Sequence, residues 1–135
     1  MQLLRFLFVV GLAASCYAEN SKSTFRGKLT QREGQSPALQ TADGKLIALD
    51  GDGDTKGVLK DKRLAGSDLE VTGQLTAAGL LIDPIHTKAM YVHKDGKRLL
   101  ITYWCDVCSI RTYTPGICWC CQQETELDLR GPDKP

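Results

Sequence analysis

From Phe25 onward, apolar and polar residues alternate in short runs. Phe25, Gly27 and Leu29 fall on one side of an extended segment, and Arg26, Lys28 and Thr30 on the other. This is the period-two pattern of a half-buried strand. Two more short β runs, 38–41 and 46–49, flank Asp43-Gly44, a two-residue hairpin signal. The clearest strand runs from Asp68 to Leu75. Leu69, Val71, Gly73 and Leu75 share one face, and Asp68, Glu70, Thr72 and Gln74 the other. Between these strands lies one helical candidate. Asp54 or Thr55 can cap it, Val58, Leu59, Leu64 and Ala65 form its apolar stripe, and Gly66 can close it in the left-handed conformation. A turn at Gly79 follows, then a strand region over 80–93 interrupted by Pro84, a turn at Asp95-Gly96, and a β run over 97–104.

The predicted order is strand, strand, strand, short helix, strand, strand. That layout resembles the OB-type five-stranded barrel, and Val71 to Leu75 resembles the late strands of small bacterial OB domains. The expected fold class is mainly β: an OB-like barrel over 25–96, a Cys-rich ribbon over 97–129 and a frayed polar tail over 130–135. Residues 19–24 read as a flexible leader.

Composition adds an address. Phe6 to Ala14 is an apolar run behind Arg5, too short to span a bilayer, which takes about 20 residues. Small residues follow, with Ala18 at the cut. Residues 1–18 therefore read as a signal peptide. Removing them takes away Arg5 and leaves as many basic as acidic residues. A competing reading makes Cys16 a lipidated residue, because 12–16 resembles a bacterial lipobox and gives a lipid anchor. Either way the expected location is periplasmic or secreted, with no transmembrane segment after processing. The 135 residues carry 17 Lys+Arg against 16 Asp+Glu, so bulk charge gives no reason to expect nucleic acid as partner.

The outlier is cysteine. Cys105, Cys108, Cys118, Cys120 and Cys121 lie within 17 consecutive positions. Four of them make C-x2-C-x9-C-x2-C. Two such turns at strand ends can aim four thiolates at one tetrahedral centre, which suits zinc. Pro115-Gly116 supplies a tight turn before the second pair. Tyr103-x-Cys105-x-x-Cys108 followed by Pro115-Gly116-x-Cys118-x-x-Cys121 resembles the small heavy-metal-binding ribbon that accompanies bacterial metal-efflux proteins. In that family the second ligand is usually His, where this chain has Cys108, and Gln122-Gln123 replaces the usual Gly-Met. The resemblance implies metal binding by Cys105, Cys108, Cys118 and Cys121; it does not imply transport. The chain as a whole resembles exported bacterial proteins that pair a small β domain with a Cys-rich tail.

The expected function is non-enzymatic metal binding, with zinc fixing a C-terminal module for contact with an unidentified protein partner. A closed set of four thiolates leaves no open coordination position for hydrolysis. One alternative is two disulfides in an oxidising compartment, which would stabilise a binding domain. Another is a thiol-disulfide redox protein using Cys105/Cys108 or Cys120/Cys121. Cys120 is the spare. It reads as a packed small hydrophobe, an alternate ligand or a reactive thiol.

Other candidates are weaker. Asp50-x-Asp52-x-Asp54 opens like a calcium loop, but Thr55 stands where Gly is needed, so an acidic turn capping the next helix is expected. In one extended strand His86 and His93 would face opposite sides. Trp104, Tyr103, Tyr113 and Trp119 flank the cysteines and are expected to pack as a lid over the small ribbon.

Overall fold

The computed structural model describes residues 21–131. The expected signal peptide with Cys16, the first two residues of the expected leader and most of the expected tail lie outside the described residues. The strands are β1 (Ser23–Thr30), β2 (Ala38–Gln40), β3 (Leu46–Asp50), β4 (Asp68–Thr76), β5 (Gly79–Ile82), β6 (Met90–Lys94), β7 (Lys97–Cys105), β8 (Ile110–Thr112) and β9 (Glu126–Arg130). Helix α1 (Gly53–Leu59) and a 3-10 turn (Lys62–Leu64) join β3 to β4, and a single helical turn, α2 (His86–Ala89), joins β5 to β6. β1 thus begins inside the expected leader, and β9 takes in Arg130, the first residue of the expected tail.

Hydrogen-bonded neighbours run β1-β2-β3-β5-β4, and β4 returns to β1. The circuit closes a five-stranded barrel. β3 and β5 pair in parallel through Leu49↔Leu80, and β1 and β4 antiparallel through Phe25↔Val71. With a helix between β3 and β4, this is the OB-like barrel that the strand order predicts. Its interior holds Leu29, Leu39, Leu49, Leu69, Val71 and Leu80, each at most 2% exposed. α1 and the 3-10 turn close one end with Val58, Leu59 and Leu64.

Closure requires two glycines. A Cβ at Gly27 would lie 2.2 Å from the Gln40 carbonyl oxygen, and one at Gly73 2.1 Å from that of Leu81. Both sit where a long strand changes neighbours. β1 passes from β4 to β2 near Gly27, and β4 pairs with β5 from Gly73 onward. Only a residue without a side chain lets the backbones approach this closely.

Beyond the barrel the sheet continues. β6 adds to the β4 edge through Leu69↔Val92, and β7 pairs with β6. The β6–β7 turn is a true two-residue hairpin, with Asp95 and Gly96 both left-handed (φ 53° and 73°). The Asp43-Gly44 turn is not. There only Gly44 is left-handed (φ 82°), and the Thr41 N–H donates to the Lys45 carbonyl, which makes a longer, bulged loop.

Several expectations need correcting. Asp52 caps α1, accepting from the Thr55 N–H at 2.9 Å, rather than Asp54 or Thr55. Gly66 is left-handed as expected, but Ala65 is exposed and the helix breaks into two pieces. Leu75 is 61% exposed because β4 runs past the core by its last turn of pleat. Pro84 does more than interrupt a strand. His86 leaves the extended chain for α2, so His86 and His93 do not share one strand. Their partners differ as well: the Tyr113 carbonyl for His86 and the Glu70 carboxylate for His93.

Candidate metal centre

The cysteines sit on two hairpin ends. β7 carries Cys105 at its last position, turns through 106–109 and returns as β8, with Cys105↔Ile110 closing the turn. The second hairpin is closed by an Ile117↔Glu124 bridge and by the Cys118 N–H donating to the Gln123 carbonyl at 2.7 Å. β9 then pairs back onto β7, so β7 lies between β8 and β9. The result is a small three-stranded ribbon with both Cys-x-x-Cys turns at one end.

The two turns repeat one another. The Cys108 N–H donates to Cys105 Sγ at 3.4 Å; the N–H groups of Cys108 and Val107 favour the Cys105 thiolate, and those of Cys121 and Cys120 the Cys118 thiolate. In each turn the donors are the residues three and two positions after the first cysteine. The residue just after each pair is left-handed although neither is glycine: Ser109 at φ 53° and Gln122 at φ 59°. In both turns the N–H groups thus favour a thiolate at the first cysteine.

The turns converge. Cys105 Sγ and Cys121 Sγ are 3.5 Å apart. The four Sγ atoms of Cys105, Cys108, Cys118 and Cys121 all lie within 4.8 Å of one another. A tetrahedral zinc with Zn–S bonds of about 2.3 Å would set its sulfurs about 3.8 Å apart. The four thiols are therefore positioned to hold a metal ion. No cysteine is joined in a disulfide among the described residues.

Their electrostatics suit a shared cation. Two backbone N–H groups hold the Cys118 thiol down at about 7. At Cys105 the Cys108 N–H favours the thiolate, but burial and the Cys121 and Cys118 thiols outweigh it and raise the pKa. The Cys120 thiol, and then burial, push Cys108 far up. Four thiolates cannot coexist so close without a cation, so binding a metal would release protons.

The ribbon is fastened to the barrel at two places and braced within itself at a third. Arg63 Nη1, beside the 3-10 turn, donates to the Thr125 carbonyl at 2.8 Å. His86 Nε2 meets the Tyr113 carbonyl at 2.7 Å. The Thr125 hydroxyl donates to the Gly116 carbonyl at 2.8 Å, pinning the Pro115-Gly116 turn. Tyr103, fully buried, belongs to the same core as the barrel leucines, and Arg63 lies over its ring at 5.3 Å.

The flanking aromatics do not form the expected lid. Tyr103 is buried and Trp104 half-buried under Arg111. Trp119 is 76% exposed, Tyr113 46%, and the neighbouring Ile117 and Val107 are 68% and 67%. Continuity with the barrel core supplies the cover that a lone ribbon would need. Cys120 is exposed rather than packed. Two of the three aspartates serve the chain locally, and Asp54 lies in the first turn of α1. Asp50 accepts from the Gly51 N–H and Asp52 caps α1. Sequence reasoning passed over Ser109, Arg63 and Thr125, and read Gln122 only as a departure from the ribbon family's Gly-Met. The equal offset of Ser109 and Gln122 from the two cysteine pairs was a usable signal; nothing local marks Arg63. Compared with known proteins, the chain matches no family model, no curated protein and no solved structure.

Proposed function

We propose that this is an exported, non-enzymatic zinc protein in which four cysteine thiolates fix a C-terminal contact module on an OB-like barrel. The observation that carries the reading is the pair of Cys-x-x-Cys turns that bring four Sγ atoms within 4.8 Å of one another. Four sulfurs without an open position suit a structural zinc and leave no place for a hydrolytic water. When bound, the ion would supply cross-linking of the two hairpin ends and neutralise their charge. The contact surface would be the exposed Val107, Ile117 and Trp119, which project from the same two turns. The partner is a protein offering an apolar face. Export rests on the apolar run after Arg5 and on its length.

Metal content and free thiols, measured together on the whole protein purified without added metal, test this reading. About one zinc per chain, with the thiols reacting only after chelation, is the expected result. Absence of metal together with a single free thiol would establish two disulfides and end the zinc reading. So would a Cys118→Ser variant with unchanged metal content and stability.

A further inference from the structure

The two Cys-x-x-Cys turns meet sulfur to sulfur. Cys105 Sγ, at the end of β7, and Cys121 Sγ, in the second hairpin, are 3.5 Å apart. A tetrahedral zinc with bonds of about 2.3 Å would hold two sulfurs about 3.8 Å apart, so this pair is already closer than the ion requires. A disulfide bond of about 2.05 Å asks for about 1.5 Å of further approach, shared between two side chains and the turns that carry them. The two sulfurs differ in access. Cys105 is 3% exposed, whereas Cys121 is half-buried and open to a small molecule from solvent.

We infer that the metal centre is released by oxidation: a peroxide joins Cys105 to Cys121 across the two turns, and the zinc leaves. This rests on the zinc reading above. It departs from the redox pairs that sequence spacing suggests, Cys105/Cys108 and Cys120/Cys121, because the two sulfurs in contact belong to different turns. The Cys121 sulfur attacks the peroxide and breaks its O–O bond; one oxygen stays on sulfur as a sulfenic acid and the other leaves as hydroxide. The Cys105 thiolate then attacks the Cys121 sulfur. The S–S bond forms, the S–O bond breaks, and a second hydroxide leaves. Each sulfur has given up one electron, the peroxide has taken two, and two protons from solvent turn both hydroxides into water. The zinc stays divalent. With Cys108 and Cys118 as its remaining ligands it has lost half its coordination, and as it departs those two thiolates take up protons. The disulfide bridges the same two hairpin ends that the ion bridged, closing a loop through β8 and the Pro115-Gly116 turn. The ribbon thus keeps a cross-link while it gives up its metal.

The test uses the whole protein, purified under a reductant that is then removed, with its zinc content measured first. Hydrogen peroxide is added at one equivalent per chain. Zinc release is followed with the chromophoric chelator 4-(2-pyridylazo)resorcinol. Free thiols are then blocked, and the linked cysteines are mapped by mass spectrometry on the tryptic peptides 99–111 and 112–130. The expected result is complete loss of zinc in step with one disulfide, located at Cys105 and Cys121, with the β-sheet circular dichroism retained. Dithiothreitol followed by added zinc is expected to restore the original metal content. Cys120→Ser is expected to form the same link and to lose its zinc at the wild-type rate. A link within one pair, a link that includes Cys120, zinc release without a disulfide, zinc retained under peroxide, or loss of the β-sheet signal overturns the inference. Each of these outcomes leaves the parent reading standing, because the zinc was counted beforehand. A reductively purified wild-type chain without zinc refutes the parent reading, and this inference with it.

Discussion

Replacing Ser109 and Gln122 by glycine tests the geometry on which the metal centre depends. Glycine ordinarily destabilises a folded chain, costing about 0.5–1 kcal/mol relative to alanine through unfolded-state entropy. At these positions the sign should change. Ser109 and Gln122 are left-handed, at φ 53° and 59°, a conformation that costs a residue with a side chain roughly 1–2 kcal/mol. Glycine removes that cost and adds the entropy, so each replacement should lie between neutral and a gain of about 1 kcal/mol. Both side chains are exposed, so little packing is lost. For a domain of this size a gain of about 1 kcal/mol raises the melting midpoint by about 4–6 °C. The assay is thermal and urea unfolding of the metal-loaded protein, with Thr112→Gly in β8 as the control that should lose stability. If Ser109→Gly and Gln122→Gly both fall by about 0.5–1 kcal/mol, as glycine does at an ordinary position, the two turns do not share this geometry.

Three further outcomes are expected. Gly73→Ala places a Cβ 2.1 Å from one backbone atom and 2.8 Å from another; it should cost about 3 kcal/mol, at the upper end of overpacking, whereas Gly53→Ala, with open space around it, should not, and denaturant midpoints compare the two. Asp68 is held below its ordinary 3.8 by the paired hydrogen bonds of Arg26. Its folded pKa is lowered, so its contribution is present above that ordinary value and lost as pH falls through the lowered one. The side chain is 42% exposed, so solvent screening keeps the effect under about 1 kcal/mol, and Arg26→Ala should flatten the acid limb of a stability-against-pH curve by that amount. Trp119→Ala should leave stability within about 0.5 kcal/mol and abolish the iodide-quenchable part of the tryptophan emission. A loss above about 1 kcal/mol would make Trp119 a packed lid after all.

The barrel was legible because its signals are local. Alternation in 25–30 and 68–73 assigns a face to each residue without any knowledge of neighbours, and left-handed glycines at 66 and 96 mark turns wherever the chain goes. The spacing of Cys105, Cys108, Cys118 and Cys121 likewise set a shared centre within reach. Misreadings arose where a residue's role depends on a distant one. Asp52 wins the cap over Asp54 because the preceding strand fixes where α1 starts. Leu75 alternates correctly yet lies beyond the core, since strand length and barrel size are settled by closure. Gly27 and Gly73 look like weak strand residues until the Gln40 and Leu81 carbonyls arrive from elsewhere in the chain.

What the chain determined alone was the alternation, the turns and the spacing of the cysteines, all consequences of backbone sterics and side-chain period. What only the tertiary structure decided was exposure and approach. It sealed Cys105 and Cys118 while leaving Cys120 outside, merged Tyr103 into the barrel core, and so freed Trp119 from the covering role that a small ribbon standing alone would have required. The reason is that burial is a property of packed surfaces. A side chain's neighbours in space, not its neighbours in sequence, determine whether water reaches it.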